Sequence, residues 1–296
     1  MNTEINSQPA PSAFSATRPF YWSVRRELWE YRSIYLAPLA IAGVVMLGFV
    51  VVLARLPQTM RSVMALDAAH QRDAVTQPFE MAAALVMMAA FIVSVYYALD
   101  TLYGERRERS ILFWKSLPVS DLTTVLAKAC VLLLVLPAVA FLVTVITEAV
   151  IGVMACAVLA ANGLSVAQFW ALLMPYSSMT GLIYHLVTVH ILWYAPLYAW
   201  LMLISAWSRR APFLWAVLPP FAILIFEKIA FHSTFFQSFL MERVAGTSDA
   251  SGNMAAPDTM MMPLHFILTP GLWYGLFFAA AFLWAAARLR RYRGPI

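Results

Sequence analysis

A chain of 296 residues that is 62% hydrophobic and 12% charged, with a mean hydropathy of +0.75, is far more apolar than globular domains, which run about 45–50% apolar and about 25% charged. The composition excludes an ordinary water-soluble domain and describes an integral membrane protein. Its 20 Lys and Arg against 15 Asp and Glu sit at the ends of apolar runs and form no continuous stripe, so the basic excess speaks of membrane topology and argues against a nucleic-acid partner.

Residues 1–17 are polar and lack the basic start and apolar core of a signal peptide. They are expected to form a disordered cytoplasmic tail, followed by a single transmembrane domain over 18–296. From Phe20 to Arg32, a helical projection puts Phe20, Tyr21, Val24, Leu28 and Tyr31 on one arc and Arg26, Glu27 and Glu30 opposite, the pattern of an amphipathic helix lying in the membrane interface. Tyr35–Leu53 then offers 19 residues without a charge, a helix of about 28 Å against a hydrocarbon core of about 30 Å. Met81–Leu99 is a second such run, with Tyr96 and Tyr97 as interface anchors near its end.

The apolar character resumes at Ala129 and persists to Ala161, taking in Cys130 and Cys156 as small buried side chains. Those 33 residues would make about 50 Å of helix, too long for one crossing. The third span is therefore ended near 150, and the rest, to about Met174, is a re-entrant segment or an outer-leaflet helix turning at Asn162–Gly163. Gly181–Trp207 is the fourth span. Pro212–Phe226 is the fifth, where Pro219 and Pro220 predict a kink. Residues 272–289 make the sixth. The fold class expected is all-α, with six spans at about 35–53, 81–99, 129–150, 181–207, 212–226 and 272–289. With the N-terminus inside, 15 of the 20 Lys and Arg fall on the cytoplasmic side, which predicts a multi-pass protein with both termini in the cytoplasm.

The densest charge cluster lies between the second and third spans, in Asp100–Lys128. A helix starting near Gly104 would pair Glu105 with Arg109 at i,i+4 and carry Ile111, Leu112, Phe113 and Trp114 as an apolar block after Ser110. Leu117 precedes Pro118, which stops a helix. Ser120 is placed to cap the next one, with Asp121 in its first turn and Lys128 at its entry into the membrane.

The run YGERRERSILFWKSLPVSDLTTVLAK resembles the first cytoplasmic loop of type-2 ABC transporter permeases, the membrane subunits of ATP-binding-cassette exporters. The matching positions are Glu105 and Arg106, Ser110 and Ile111, Leu117 to Ser120, and Lys128. Six spans, an amphipathic N-terminal helix and a long outer segment before the last span extend the likeness along the chain. The resemblance implies that this loop holds a coupling helix docked on a separate ATPase subunit. Glu105, Arg106, Arg109, Ser110, Leu112 and Phe113 would face that ATPase, and Leu117–Pro118 would set the elbow. It also implies a second permease copy, most simply a homodimer in the bacterial inner membrane among its lipids. ATP and Mg would be held by the partner, and no G-x-x-x-x-G-K-[S/T] phosphate loop occurs in this chain. The chain itself is then a transport subunit without catalytic residues, moving a hydrophobic or amphipathic cargo outward.

Glu148, in an apolar run, and Glu227, at the end of the fifth span, are candidates for the substrate path, since an intramembrane charge costs about 2.5–3.5 kcal/mol on insertion scales. They also carry the alternative reading, an ion-coupled secondary transporter or channel that needs no ATPase. His185 and His190 are five apart, about 140° around an α-helix, and so do not make a metal pair. Met60, Met64 and the Met260–Met262 cluster read as gap-fillers.

Overall fold

Apolar runs bounded by charges become helices here because a helix satisfies its own backbone polar groups, the first requirement in a bilayer. The computed structural model describes residues 17–117, 119–173, 175–245 and 266–296, and every regular element among them is helical. The expected tail over 1–17, Pro118 and the Met260–Met262 cluster lie outside the described residues, apart from the backbone of Thr17. Five helices are long and apolar enough to cross a membrane, and a bent pair makes a sixth. The chain is a multi-pass membrane protein.

In chain order the elements are α1 (Thr17–Glu30), α2 (Ser33–Leu53), α3 (Leu56–Val63), α4 (Ala68–Arg107), α5 (Ile111–Ser116) and α6 (Asp121–Cys130). A π-helical turn over Val131–Val135 leads into α7 (Leu136–Ala161), then α8 (Val166–Leu173) and α9 (Pro175–His185). A second π-helical stretch, Leu186–Trp193, precedes α10 (Ala195–Trp207), α11 (Pro212–Ala230), α12 (Phe235–Ala245) and α13 (Pro270–Tyr292). Both π-helical stretches come just before a proline, Pro137 and Pro196. A proline cannot donate to the carbonyl four residues back, and the ladder loosens to i→i+5 just ahead of it. At the second of these the span bends by 43°.

Several boundaries differ from the sequence reading. α4 is 40 residues long, so the second apolar run is the middle of a helix that starts in the polar segment before it and continues past Gly104. Asp121 to Ala161 is one helical run of 41 residues and does not end near 150. Both overlong helices are accommodated by a second apolar core, separate from the main one, at the end of the bundle away from the termini. There Phe49, Met60, Val75, Phe79, Ile151, Leu159 and Phe169 are buried together, with Phe79 lying 6.4 Å from Phe49 and 6.3 Å from Phe169 between ring centres. The chain turns at Gly163, whose φ of +68° favours glycine. α8 then folds back so closely on α7 that a Cβ at Gly152 would sit 3.4 Å from Trp170. Pro219 and Pro220 do not break α11. Pro220 leaves the Ala216 carbonyl without its helical donor, and the Trp200 indole N–H supplies one at 3.2 Å.

Candidate functional site

The helix ends on the side of the two termini converge on a set of charges taken out of water. Glu27 of α1 and Lys128 of α6 are each 1% exposed, and Glu105 of α4 and Arg290 of α13 each 3%. Lys128 Nζ donates to Glu27 Oε1 at 2.8 Å and to Thr101 Oγ1 at 2.9 Å, and stands 3.1 Å from Glu105 Oε1. Tyr97 donates its hydroxyl to Glu27 Oε2 at 2.9 Å. Arg26 Nη2 reaches Glu105 Oε1 at 3.0 Å, and Arg290 Nη2 reaches Glu105 Oε2 at 3.1 Å. Arg290 also pairs with Asp121.

The cations Arg26, Lys128 and Arg290 thus balance the anions Glu27, Glu105 and Asp121, and a fourth carboxylate, the exposed Glu30, stands 3.6 Å from Arg26 at the edge of the set. Balance of this kind is what buried charges require, because each desolvated ion otherwise costs several kcal/mol. Burial works against the charge on Arg26, but Glu27 and Glu105 outweigh it and hold its pKa above the ordinary arginine value. The seam joins α1, α4, α6 and α13, three of which are continuous with membrane-crossing runs.

A second tie lies beside it. The Arg106 guanidinium donates to the carbonyls of Ala206 and Ser208 at 2.7 and 2.9 Å, serving the end of α10 where helical donors run out. Its Nε donates to Gly294 O at 3.3 Å, and its own carbonyl accepts from Ile296 N at 3.1 Å. Ser205 Oγ accepts from the backbone N–H groups of Leu102 and Tyr103.

Against this frame, α5 has one fastened face and one free face. Ile111 is buried, Trp114 lies under the Arg26 guanidinium at 3.9 Å, and Lys115 Nζ donates to the carbonyls of Arg291 and Arg293. Leu112 and Phe113 are each 60% exposed, and Leu117 is 38% exposed. Arg109 is exposed and turns the chain between α4 and α5 in a left-handed conformation, φ 60°.

These positions correct the sequence expectation. No helix begins at Gly104, which is buried inside α4 with Asp100 3.2 Å from where its Cβ would be. Glu105 faces inward to Lys128 and Arg290, and the i,i+4 pair with Arg109 is not made because α4 ends at Arg107. Arg106 also faces inward. Ser110 Oγ donates to the Glu105 carbonyl at 3.4 Å. Ser120 does cap α6, accepting from Thr123 N at 3.0 Å. On α1 the sides are reversed for Glu27, which is buried, while Tyr21, Trp22 and Trp29 are exposed and Arg25 lies over both tryptophan rings.

The partners of Glu105 were not read from the sequence as site residues. A signal was present for Lys128, which shares a helical stripe with the buried Val125, Ala129 and Leu132.

The two carboxylates proposed for a path lie apart from this seam. Glu148 lines a cleft of about 30 Å³ with Thr76, Glu80 and Leu182. Glu227 accepts from Ser233 Oγ at 2.8 Å and from Phe236 N at 3.0 Å, tying α11 to the start of α12. His185 and His190, placed on different faces by an α-helical count, have ring centres 5.4 Å apart, because i→i+5 winding brings residues five apart almost into register. Both Nδ1 atoms are buried without a hydrogen-bond partner among the described residues, and no cluster of three or more metal-ligating side chains occurs among them.

No protein-family model matches the chain, and neither a curated protein nor a solved structure shows significant similarity to it.

Proposed function

We propose that this chain is the membrane-spanning permease subunit of an ABC-type exporter, and that α5 is the coupling helix on which a separate ATPase subunit acts. The observation that carries the reading is the division of α5 into a fastened face (Ile111, Trp114, Lys115) and an exposed apolar face (Leu112, Phe113). Exposed aromatic and aliphatic residues on a rigidly held element are suited to fill a partner's pocket. A push on α5 passes through Arg26 and the Glu105 seam to helices that run into the second, third and sixth spans. In this reading Glu105 and Arg106 transmit force and do not touch the ATPase, while Arg109, Leu112, Phe113 and Leu117 form the docking edge.

The ATPase binds ATP and Mg, both termini lie in the cytoplasm, and two permease copies enclose the path of a hydrophobic or amphipathic cargo. The test is vesicle transport: export should require the ATPase subunit and ATP, and should persist when ion gradients are collapsed.

One observation favours a second reading. The close imidazoles of His185 and His190, with Glu148 toward the outer end, are the residue types of an ion-coupled path. Transport driven by an ion gradient without nucleotide, and lost in Glu148→Gln, would select it.

A further inference from the structure

At the arginine-rich end of the bundle, a cleft of about 350 Å³ opens between the start of α6 and the last turns of α13. Val119, Leu122, Trp284 and Ala287 give it apolar walls, and Ser120, Asp121, Arg288 and Arg291 give it a polar rim. The charges do not cancel. Asp121 is already paired with Arg290, whereas Arg288 lies over the Trp284 ring at 4.9 Å and Arg291 over Tyr292 at 5.9 Å. Neither is ion-paired among the described residues.

Position adds to chemistry. Trp284 is 59% exposed and Leu122 50% exposed, on the boundary where the apolar body of α13 gives way to Arg288, Arg290, Arg291 and Arg293. Tryptophan prefers that level of a bilayer. A soluble anion needs only the arginines; exposed apolar walls beside them, Trp284 and Leu122, serve a ligand that also has a tail.

We propose that this cleft is a binding site for an anionic phospholipid, with Arg288 and Arg291 on the headgroup phosphate and Trp284 and Leu122 against the glycerol and upper acyl chain. Basic pockets at helix ends bind anionic headgroups by these means. Because Leu122 belongs to α6 and Trp284, Arg288 and Arg291 to α13, a seated lipid would hold the start of the third span against the end of the sixth. The assignment needs only that the chain spans a bilayer, so it stands or falls separately from the ATPase reading.

The test uses the full chain in mixed micelles of phosphatidylglycerol and phosphatidylcholine, with bound lipid counted by native mass spectrometry. Wild type should retain phosphatidylglycerol, and Arg288→Ala with Arg291→Ala should weaken it about 30-fold, with an unchanged elution profile. Equal retention by the double variant, or equal retention of phosphatidylcholine by wild type, would overturn the proposal. Stabilisation by glycerol phosphate alone equal to that by phosphatidylglycerol would overturn the lipid assignment in favour of a soluble anion. Should the double variant not accumulate, wild type photolabelled with a diazirine phosphatidylglycerol decides: labelling at Leu122 or Trp284 supports the site, and labelling only elsewhere overturns it.

Discussion

Lys128 and Glu27 are 101 residues apart in sequence and 2.8 Å apart in space, each almost fully buried. A bond of this kind makes the N-terminal helix part of the membrane bundle. It also gives α6, where the third span begins, a fixed relation to α1 and to the end of α4.

The first prediction concerns that bond. Lys128→Met removes the fully buried cation shared by Glu27 and Glu105 and leaves them the partly exposed Arg26, and removal of one partner from a buried pair costs about 3–5 kcal/mol. The cost should fall when Glu27→Gln is added, because the stranded charge is then gone. Denaturant unfolding of the single and double variants in detergent checks this; additive losses would show that the two do not interact.

A second prediction comes from the end of the bundle away from the termini. Arg243 of α12 is buried over the Trp193 ring at 3.9 Å and donates to the carbonyls of Trp193 and Gly271. A Cβ at Gly275 would lie 2.6 Å from its Nη2. Gly275→Ala should therefore displace the guanidinium and cost about 1–3 kcal/mol, as overpacking does. In an Arg243→Ala background the same substitution should cost almost nothing. Thermal melts of the four proteins provide the comparison, and equal effects of Gly275→Ala in both backgrounds would contradict the geometry.

Trp200 offers a third. Trp200→Phe strips the Ala216 carbonyl of the donor that replaces the one missing at Pro220, an unsatisfied buried group worth about 1–3 kcal/mol. Adding Pro220→Ala restores a backbone N–H and should recover much of the loss. Failure of that rescue in melting experiments would mean that the indole acts by packing and not by its hydrogen bond.

Much of the architecture could be read from the chain because a bilayer imposes a length scale on apolar runs. Tyr35–Leu53 falls within α2, and Leu272–Leu289 within α13. The helix ends were harder. Residues 68–80 carry His70, Arg72, Asp73 and Glu80, the composition of a polar connection, yet they begin α4, with Val75 and Phe79 buried against α3, α7 and α8. The overrun of α7 past 150 was hidden by the assumption that one helix does not run on beyond the length of a single crossing.

The charged seam was misread for a related reason. A charged residue in a loop is taken to face water, and nothing local distinguishes Glu105, which turns inward, from Glu108, which does not. Only the long-range arrival of Lys128 and Arg290 decides it. The His185–His190 contact needed a helical period of i→i+5, which the presence of Pro196 hints at but does not state.

The central claim is that the free face of α5 receives an ATPase. A photo-crosslinking amino acid at Phe113, 60% exposed, tests it in intact cells, with the same group at Phe277, 70% exposed on α13, as the comparison. The account predicts that position 113 captures a soluble ATP-binding polypeptide, that position 277 does not, and that transport is lost in Phe113→Ala while the protein still melts like wild type. Labelling of a cysteine at 113 by a membrane-impermeant thiol reagent added from outside, or crosslinks from 113 to lipid alone, would contradict it.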